Sequence, residues 1–267
     1  MTSRGLPPPR GIDPRTPNPA RIYDALLGGK DHYPADRRAA DEILAAVPTA
    51  GAMAHANRAF LQRAVRYLAQ QGIRQFIDIG TGLPTQGNVH QAAQAIVPDA
   101  RVVYVDNDPV VLAHGRALLA GDRTEIVEGD LRHPDQILRH PDVRRAIDFA
   151  RPVAVLLLAI LHFVTDEEDP DGIVAHLRDA MAPGSYLVLS HATVDFNPNA
   201  ATKATRAYDR ASVPIVLRSR AEIERLYQGF ELIEPGLVQL AAWRPNRPPA
   251  QGQDEVWAYA GVGRKRS

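Results

Sequence analysis

The sequence predicts an α/β fold, an open and mostly parallel sheet with helices on both faces. Three observations carry that reading. A strand, glycine turn, helix and second strand follow one another between Ile73 and Asp106. Short apolar runs then keep alternating with helical segments along the rest of the chain. The strongest run, Val153 to Leu161, is nearly continuous in Val, Leu and Ala, as expected of a strand buried on both faces.

The opening βαβ unit fixes the place of a site. Phe76, Ile77 and Ile79 form the first strand, which ends on Gly80-Thr81-Gly82. Pro84 is expected in the first turn of the following helix, where its missing N–H costs nothing. That helix should run to about Val97, before Pro98-Asp99 breaks it. Val102 to Val105 make the second strand, closing on Asp106. Ligands of open α/β sheets bind at such strand tips.

The residue types at the tips narrow the ligand. A dinucleotide fingerprint needs a third glycine, but its frame here reads Gly80-Thr81-Gly82-Leu83-Pro84-Thr85. Asp78, just ahead of the turn, would repel a pyrophosphate. It suits a ligand carrying an ammonium and a sulfonium, the two charges of S-adenosyl-L-methionine. The glycines let the backbone approach that ligand closely. Asp106 is placed to accept from ribose hydroxyls. The competing reading is a plain turn with two solvated acids.

Composition removes several classes. Lys+Arg and Asp+Glu balance at 31 each, which argues against nucleic acid or an anionic membrane as the partner. There is no cysteine, so no thiolate nucleophile, disulfide or cysteine metal site is available. The histidines lack metal-ligand spacing and companions. No apolar run reaches the length of a membrane span and no signal-peptide core precedes the first helix, so a cytoplasmic protein is expected.

The remaining elements follow in order. Residues 1–17, rich in Pro, Arg and Gly, read as a mobile tail. Asn18-Pro19 caps a helix that stops at Gly28-Gly29. Pro34 opens a second helix, to about Val47, and a third spans Met53 to Gln71. Residues 18–71 are therefore read as a helical cap over the strand tips, and 72–267 as the ligand-binding α/β domain. In the turn between the first two helices, Lys30 stands out in a chain with lysine only at positions 30, 203 and 265.

Asp108-Pro109 caps the next helix, and Thr124 to Val127 form a third strand ending in Glu128-Gly129-Asp130-Leu131. Asp130 reads equally as an acceptor for an adenine amino group or as a helix cap. Asp169-Pro170 starts a helix to Met181, and Tyr186 to Ser190 form a strand ending at His191. The central strand and this one deliver His162 and His191 to the ligand edge. Each is a candidate general base or a framing histidine. A polar helix from Asn197 to about Ser212 and a helix from Arg220 to Gln228 should roof the substrate side. Phe230–Ile233 and Glu255–Ala260 are the expected closing strands, with a proline-rich loop, Arg244–Gln253, between them. Gly263-Arg264-Lys265-Arg266 reads as a solvated end.

The strings NPARIYDALLGGKDHY, ANRAFLQRAVRYL, QFIDIGTGLPTQGNVH, RVVYVDNDPVVLAHGRALL, LLLAILHFVTDEEDP and APGSYLVLSHAT, with the closing GFELIEPGLVQL, resemble the Rossmann-like class I S-adenosylmethionine-dependent methyltransferases. More narrowly they resemble a bacterial family long held as a domain of unknown function. The resemblance spans about residues 18–262. It implies a seven-stranded sheet in the order 3-2-1-4-5-7-6, its last strand antiparallel. It also implies cofactor contacts at Asp78, Gly80, Thr81 and Gly82, at Asp106 and Asn107, and at Asp130 and Leu131. The ARIYDALLGGKD segment suggests that Arg21, Tyr23 and Gly29 cover the cofactor.

The expected activity is methyl transfer to a small-molecule acceptor, with His162 or His191, and more distantly Tyr33, as base for a hydroxyl. A neutral amine acceptor would need none. Two rivals remain at this point: a cofactor-binding sensor without turnover, and a nicotinamide-dependent oxidoreductase. The acceptor and the oligomeric state are not legible.

Overall fold

The computed structural model describes residues 12–84, 87–119, 121–211, 213–245 and 256–266. The chain forms α1 (Pro19–Leu26), α2 (Pro34–Ala46), α3 (Ala50–Gln70), β1 (Gln75–Ile79), α4 (Val89–Gln94), β2 (Arg101–Asp106), α5 (Pro109–Leu118) and β3 (Thr124–Glu128). It continues through α6 (Pro134–Arg139), α7 (Pro141–Ala146), β4 (Ala154–Leu158), α8 (Pro170–Ala180), β5 (Tyr186–Ala192), α9 (Pro198–Arg210) and α10 (Arg220–Arg225). The closing strands are β6 (Phe230–Leu232), β7 (Val238–Gln239) and β8 (Ala258–Lys265).

The strands make an eight-stranded sheet in the order β3-β2-β1-β4-β5-β8-β6, with β7 pairing β8 to the side. β1 to β5 pair in parallel, and β8 runs antiparallel to β5, β6 and β7. With β8 counted as the seventh strand, this is the expected order, and β7 is the addition. β1, β4 and β5 are buried along their whole length, as expected of strands covered on both faces.

Strand alternation divides the core into two layers. Phe76, Val102, Tyr104, Leu156 and Val188 pack against Phe60, Leu61, Ala64, Val65 and Leu68 of α3. Ile77, Val103, Val105, Val155 and Leu187 face α6, α7 and α8 through Ile137, Val143, Ile173 and Leu177. The boundary drawn after residue 71 therefore runs through a shared core, because α3 is one of the helices covering the sheet. α1 and α2 stand apart from that layer. Ile22, Leu26, Ala39 and Ile43 meet Ala204, Ala207 and Tyr208 of α9 beside Ala192 at the end of β5.

Several local expectations shift. Pro84 lies ahead of α4, which opens after Asn88; the Asn88 side chain and Gln91 form a capping box there. The central strand ends at Leu158, and Leu161–Phe163 form a 3-10 turn. β8 begins at Ala258 and continues through Lys265, so the backbone of the basic terminus joins the sheet while the Arg264 and Arg266 side chains stay exposed. Arg264 pairs with Tyr186 and Glu231 in the sheet. The Lys265 ammonium donates to Met181 O at 2.6 Å and Arg178 O at 2.8 Å, closing the carbonyl end of α8. The expected tail lies outside the described residues as far as position 11, and so do Glu255 and most of the proline-rich loop.

Candidate active site

Asp78 and Asp106 sit at the tips of β1 and β2 on the face covered by α3, since each shares strand parity with a residue of that core layer. Both are buried, at 4% and 7% exposure. Among the described residues, Asp78 accepts one hydrogen bond, from the Thr81 hydroxyl at 3.0 Å. Asp106 accepts from Gly82 N at 2.9 Å through one oxygen and from Asp108 N at 2.9 Å through the other. Burial raises each carboxyl, Asp78 to about 6 and Asp106 to about 6, and the bonds just named only partly offset it. Each carboxylate oxygen retains lone-pair capacity beyond the bond it already accepts.

The glycine turn holds this pair. Gly80 N and Thr81 N both donate to Val105 O, at 2.8 and 3.2 Å, which fastens the turn to β2. Gly80 has φ +72°, and a Cβ there would lie 2.7 Å from the Ile160 side chain. Gly82 has φ +66° and open space where its Cβ would stand. That opening adjoins Asp106, so it is a place where a ligand can meet bare backbone. The residues fit a cationic amino-acid nucleoside on this ground. Two desolvated anions and an open approach to bare backbone are gathered at one strand edge.

Asp130 and Asn107 are brought together on the far side of β2. The Asn107 amide donates to Asp130 at 3.3 Å, and the Arg132 guanidinium pairs with the same carboxylate at 2.5 Å. The Arg132 bond holds the Asp130 carboxyl below its usual range. Asp130 is not a helix cap: it accepts from Arg132 N at 3.0 Å, and His133 is the residue that precedes α6. Leu131 is buried beside Val105 and Ile137.

The N-terminal candidates build the cover over this edge. Arg21 is 4% exposed and lies between Asp36, at 3.4 Å, and Asp108, at 3.2 Å, two residues beyond Asp106. It stacks 5.2 Å from the Tyr33 ring centre. The Tyr23 hydroxyl donates to Ala54 O and accepts from the Asn57 amide, both at 3.0 Å. Asn57 in turn accepts from the Ser190 hydroxyl of β5 at 2.7 Å. Gly29 is packed against Asp24, whose carboxylate takes Asp31 N at 3.0 Å and the His32 Nδ1 at 2.8 Å. Ala20 and Tyr33 pack on Leu83, Val110 and Val111, between the glycine turn and α5. Lys30 is exposed on its turn.

The two histidines meet, with ring centres 5.5 Å apart, but they differ as bases. His191 Nδ1 lies 2.6 Å from Ala192 O and its Nε2 lies 3.1 Å from Arg218 Nη1. The carbonyl needs a donor and the guanidinium an acceptor, so the ring is neutral and both nitrogens are committed. Burial lowers its pKa to about 4. His191 is thus a framing residue, against its reading as a base. His162 is buried, its Nδ1 has no partner among the described residues, and burial pushes it well below the ordinary histidine value, so it is a neutral imidazole at pH 7. Arg218 also donates to Leu161 O at 3.0 Å and Val164 O at 2.9 Å, so it holds the turn that carries His162.

Some of these participants have weak sequence signals. Asn57 was legible as a polar residue at an apolar-stripe position of α3, three before Phe60 and four before Leu61. Arg218 and Ser190 carried none. Ala159, with φ +54°, is a strained residue at the end of β4, held by Ser190 O and Oγ, and alanine gives no warning of it.

Comparison with known proteins identifies the family and the fold. The family model described as S-adenosyl methyltransferase matches residues 7–266. A crystal structure of a DUF574 family protein from Streptomyces avermitilis superposes with a TM-score of 0.91 at 44% identity, covering 95% of this chain and 99% of that one. A candidate methyltransferase from Thermobifida fusca gives 0.93 at 46% identity, covering 98% and 100%. Human N-acetylserotonin methyltransferase in complex with S-adenosylmethionine shares the fold at 14% identity, with a TM-score of 0.51 over 94% of this chain and 61% of that one. Comparison with curated proteins yields no match.

Proposed function

The chain belongs to the S-adenosyl methyltransferase family, and from that premise we propose that it transfers the methyl group to a small-molecule acceptor held under the α1–α2 cap. The observation that carries the reading is the pair of buried carboxylates, Asp78 and Asp106, each kept off its ordinary pKa by desolvation at adjacent strand tips. A cationic ligand with hydroxyl donors relieves both. A diphosphate would add charge of the wrong sign to the same place.

Each residue then has one task. Asp78 holds an ammonium, and Asp106 accepts from the ribose hydroxyls. Gly80, Thr81 and Gly82 shape the backbone so that the ligand can lie against it. Asn107, Asp130 and Leu131 border the adenine. Arg21, Tyr23 and Gly29 keep the cap seated and so exclude water, which strengthens every charge interaction beneath it. Bound S-adenosylmethionine supplies an electrophilic methyl on its sulfonium. The protein supplies alignment of the acceptor, a dry site and, for a hydroxyl acceptor, a proton acceptor at His162 Nδ1.

A thermal-shift panel tests the assignment. At a hundredfold excess over Kd, S-adenosylhomocysteine should stabilise the wild type by about 2.7 kcal/mol, or roughly 5–10 °C. Asp106→Ala should show a much smaller shift. NAD and NADH should leave both proteins unmoved. Equal shifts in the two proteins would remove Asp106 from the ribose, and stabilisation by NADH alone would overturn the ligand class.

A further inference from the structure

The edge of the sheet opposite Asp78 and Asp106, where the parallel strands begin, carries a row of arginines. Arg123 stands just before β3, Arg101 opens β2 and Arg74 stands just before β1. Arg151 lies three residues before β4, and Arg264 of β8 pairs with Tyr186 at the start of β5. Arg101 N donates to Arg74 O at 2.8 Å and Val102 N to Arg123 O at 2.9 Å, so these three arginines follow one another from strand to strand. The order β3-β2-β1-β4-β5-β8 makes five steps, which at about 4.8 Å each span about 24 Å.

These residues line a cleft of about 770 Å³, within the roughly 300–1,000 Å³ usual for ligand sites. Its charges do not cancel. Five arginines against two acids, Asp99 and Asp148, leave an excess of three positive charges in a chain that is neutral as a whole. Arg74 is paired with Asp99, at 2.6 Å. Arg123 donates to Pro98 O at 2.9 Å and Arg101 to Ala146 O at 3.4 Å, contacts that cancel no charge. Arg151 and Arg264 have no hydrogen-bond acceptor among the described residues. Like charges on neighbouring strands repel, and an anion laid across them relieves that repulsion. The backbone beneath is fixed. Gln75 holds the loop before β4 through Asp148 N at 2.7 Å and Asp148 O at 3.0 Å, and Gly184 N donates to Lys265 O at 3.0 Å beside Arg264. The cations are thus rooted on a rigid rim, which limits the ordering that binding must impose.

We propose that this cleft is a second binding site, for a ligand carrying a short chain of linked phosphates. Guanidinium groups pair with phosphate oxygens two bonds at a time. Unpaired cations rooted on several adjacent strands match charges strung along one ligand better than they match a single anion. A single-stranded nucleic acid would also want aromatic faces for its bases. Among the described residues lining the cleft, the one aromatic, Tyr186, is 6% exposed and offers no such face. Arg74 and Asp78 stand at opposite ends of β1, about 13 Å apart, so the phosphate ligand does not compete with the methyl donor.

Calorimetric titration of the full chain at low ionic strength tests it, with S-adenosylhomocysteine present so that no adenosine enters the other edge. The probes are inorganic phosphate, tripolyphosphate, ATP and an oligothymidylate of about ten nucleotides. The wild type should bind tripolyphosphate at least roughly tenfold more tightly than inorganic phosphate, and less tightly as salt is added. ATP that binds within about threefold of tripolyphosphate, or more weakly, makes the phosphate chain itself the ligand. A tighter ATP makes the ligand a nucleoside polyphosphate. Arg123→Gln and Arg151→Gln should each weaken tripolyphosphate roughly three- to tenfold. Arg38→Gln, at an exposed arginine of α2, should leave it unchanged. All three positions are on the surface, so unchanged melting temperatures report an intact fold. Tripolyphosphate bound no more tightly than phosphate, or unmoved by both Arg123→Gln and Arg151→Gln, overturns the proposal. So does an equal loss in Arg38→Gln, or an oligonucleotide bound more tightly than tripolyphosphate.

Discussion

Replacing Asp78 by Asn should make the unliganded protein more stable and the cofactor weaker, an opposition that follows from the charge alone. The carboxyl is raised from 3.8 to about 6, chiefly by desolvation. At about 1.36 kcal/mol per pKa unit, that is about 3 kcal/mol of folding free energy lost by holding the ionised form in the native state. Asn keeps an oxygen for the Thr81 hydroxyl and carries no charge to desolvate. Its amide still loses some hydration, so a net gain of about 2 kcal/mol, or roughly 4–8 °C, is expected at pH 8.

The pH dependence separates this cause from a packing effect. A carboxyl whose pKa is higher in the folded state binds its proton more tightly there, so its cost is absent below the unfolded value. The cost grows between 3.8 and about 6 and is complete above that. The advantage of Asp78→Asn should therefore be full at pH 8, about a third of that at pH 5 and gone at pH 4. Urea denaturation across that range measures it. In the same samples the variant should bind S-adenosylhomocysteine roughly ten- to a hundredfold more weakly. A variant less stable than wild type at pH 8, or a difference that does not change with pH, would refute the reasoning, because Asp78 would then not be a strained anion.

Cofactor affinity in the wild type should fall as pH drops through about 6, by about tenfold per unit for each of Asp78 and Asp106 that must be ionised, and titration calorimetry from pH 5 to 8 reads the slope. Arg21→Met should cost about 3–5 kcal/mol in urea denaturation, because it leaves Asp36 and Asp108 buried without their cation. Nitrogen NMR should find His191 as the Nδ1–H tautomer with no titration between pH 5 and 8, since burial holds it near 4.

What the sequence disclosed and what it concealed divide by range. The Asp108 cap, accepting Val110 N at 2.7 Å, and the Asn18 cap, accepting Ala20 N at 2.8 Å, depend on neighbours in sequence and were legible in it. So was the strand order, once the βαβ rhythm and the resemblance were joined. The start of α4 was misread because Pro84 is an acceptable first-turn residue anywhere, while the Asn88–Gln91 capping box is a stronger start. β8 was misplaced because Arg264 and Lys265 look like a solvated tail until Tyr186, Glu231 and the end of α8 are brought to them. The choice between base and framing residue stayed open at His191 for the same reason: Arg218, which occupies its Nε2, is 27 residues away. Polar partners from distant elements leave no periodicity behind.

The cap and the acids work as one device. An exposed pair of aspartates would keep ordinary pKa values, cost nothing to ionise and hold an ammonium only weakly in water. Here α3 and the cap desolvate them, and Arg21 and Tyr23 join that cover to α5 and, through Asn57, to β5. The free energy lost in burying the charges is what a cationic ligand recovers, and a neutral or anionic one cannot. On this account a lesion at Arg21, which is placed to touch Asp108 rather than any reacting atom, should lower both Asp78 and Asp106 toward 4 as water enters, and should weaken the cofactor even in molecules that remain folded.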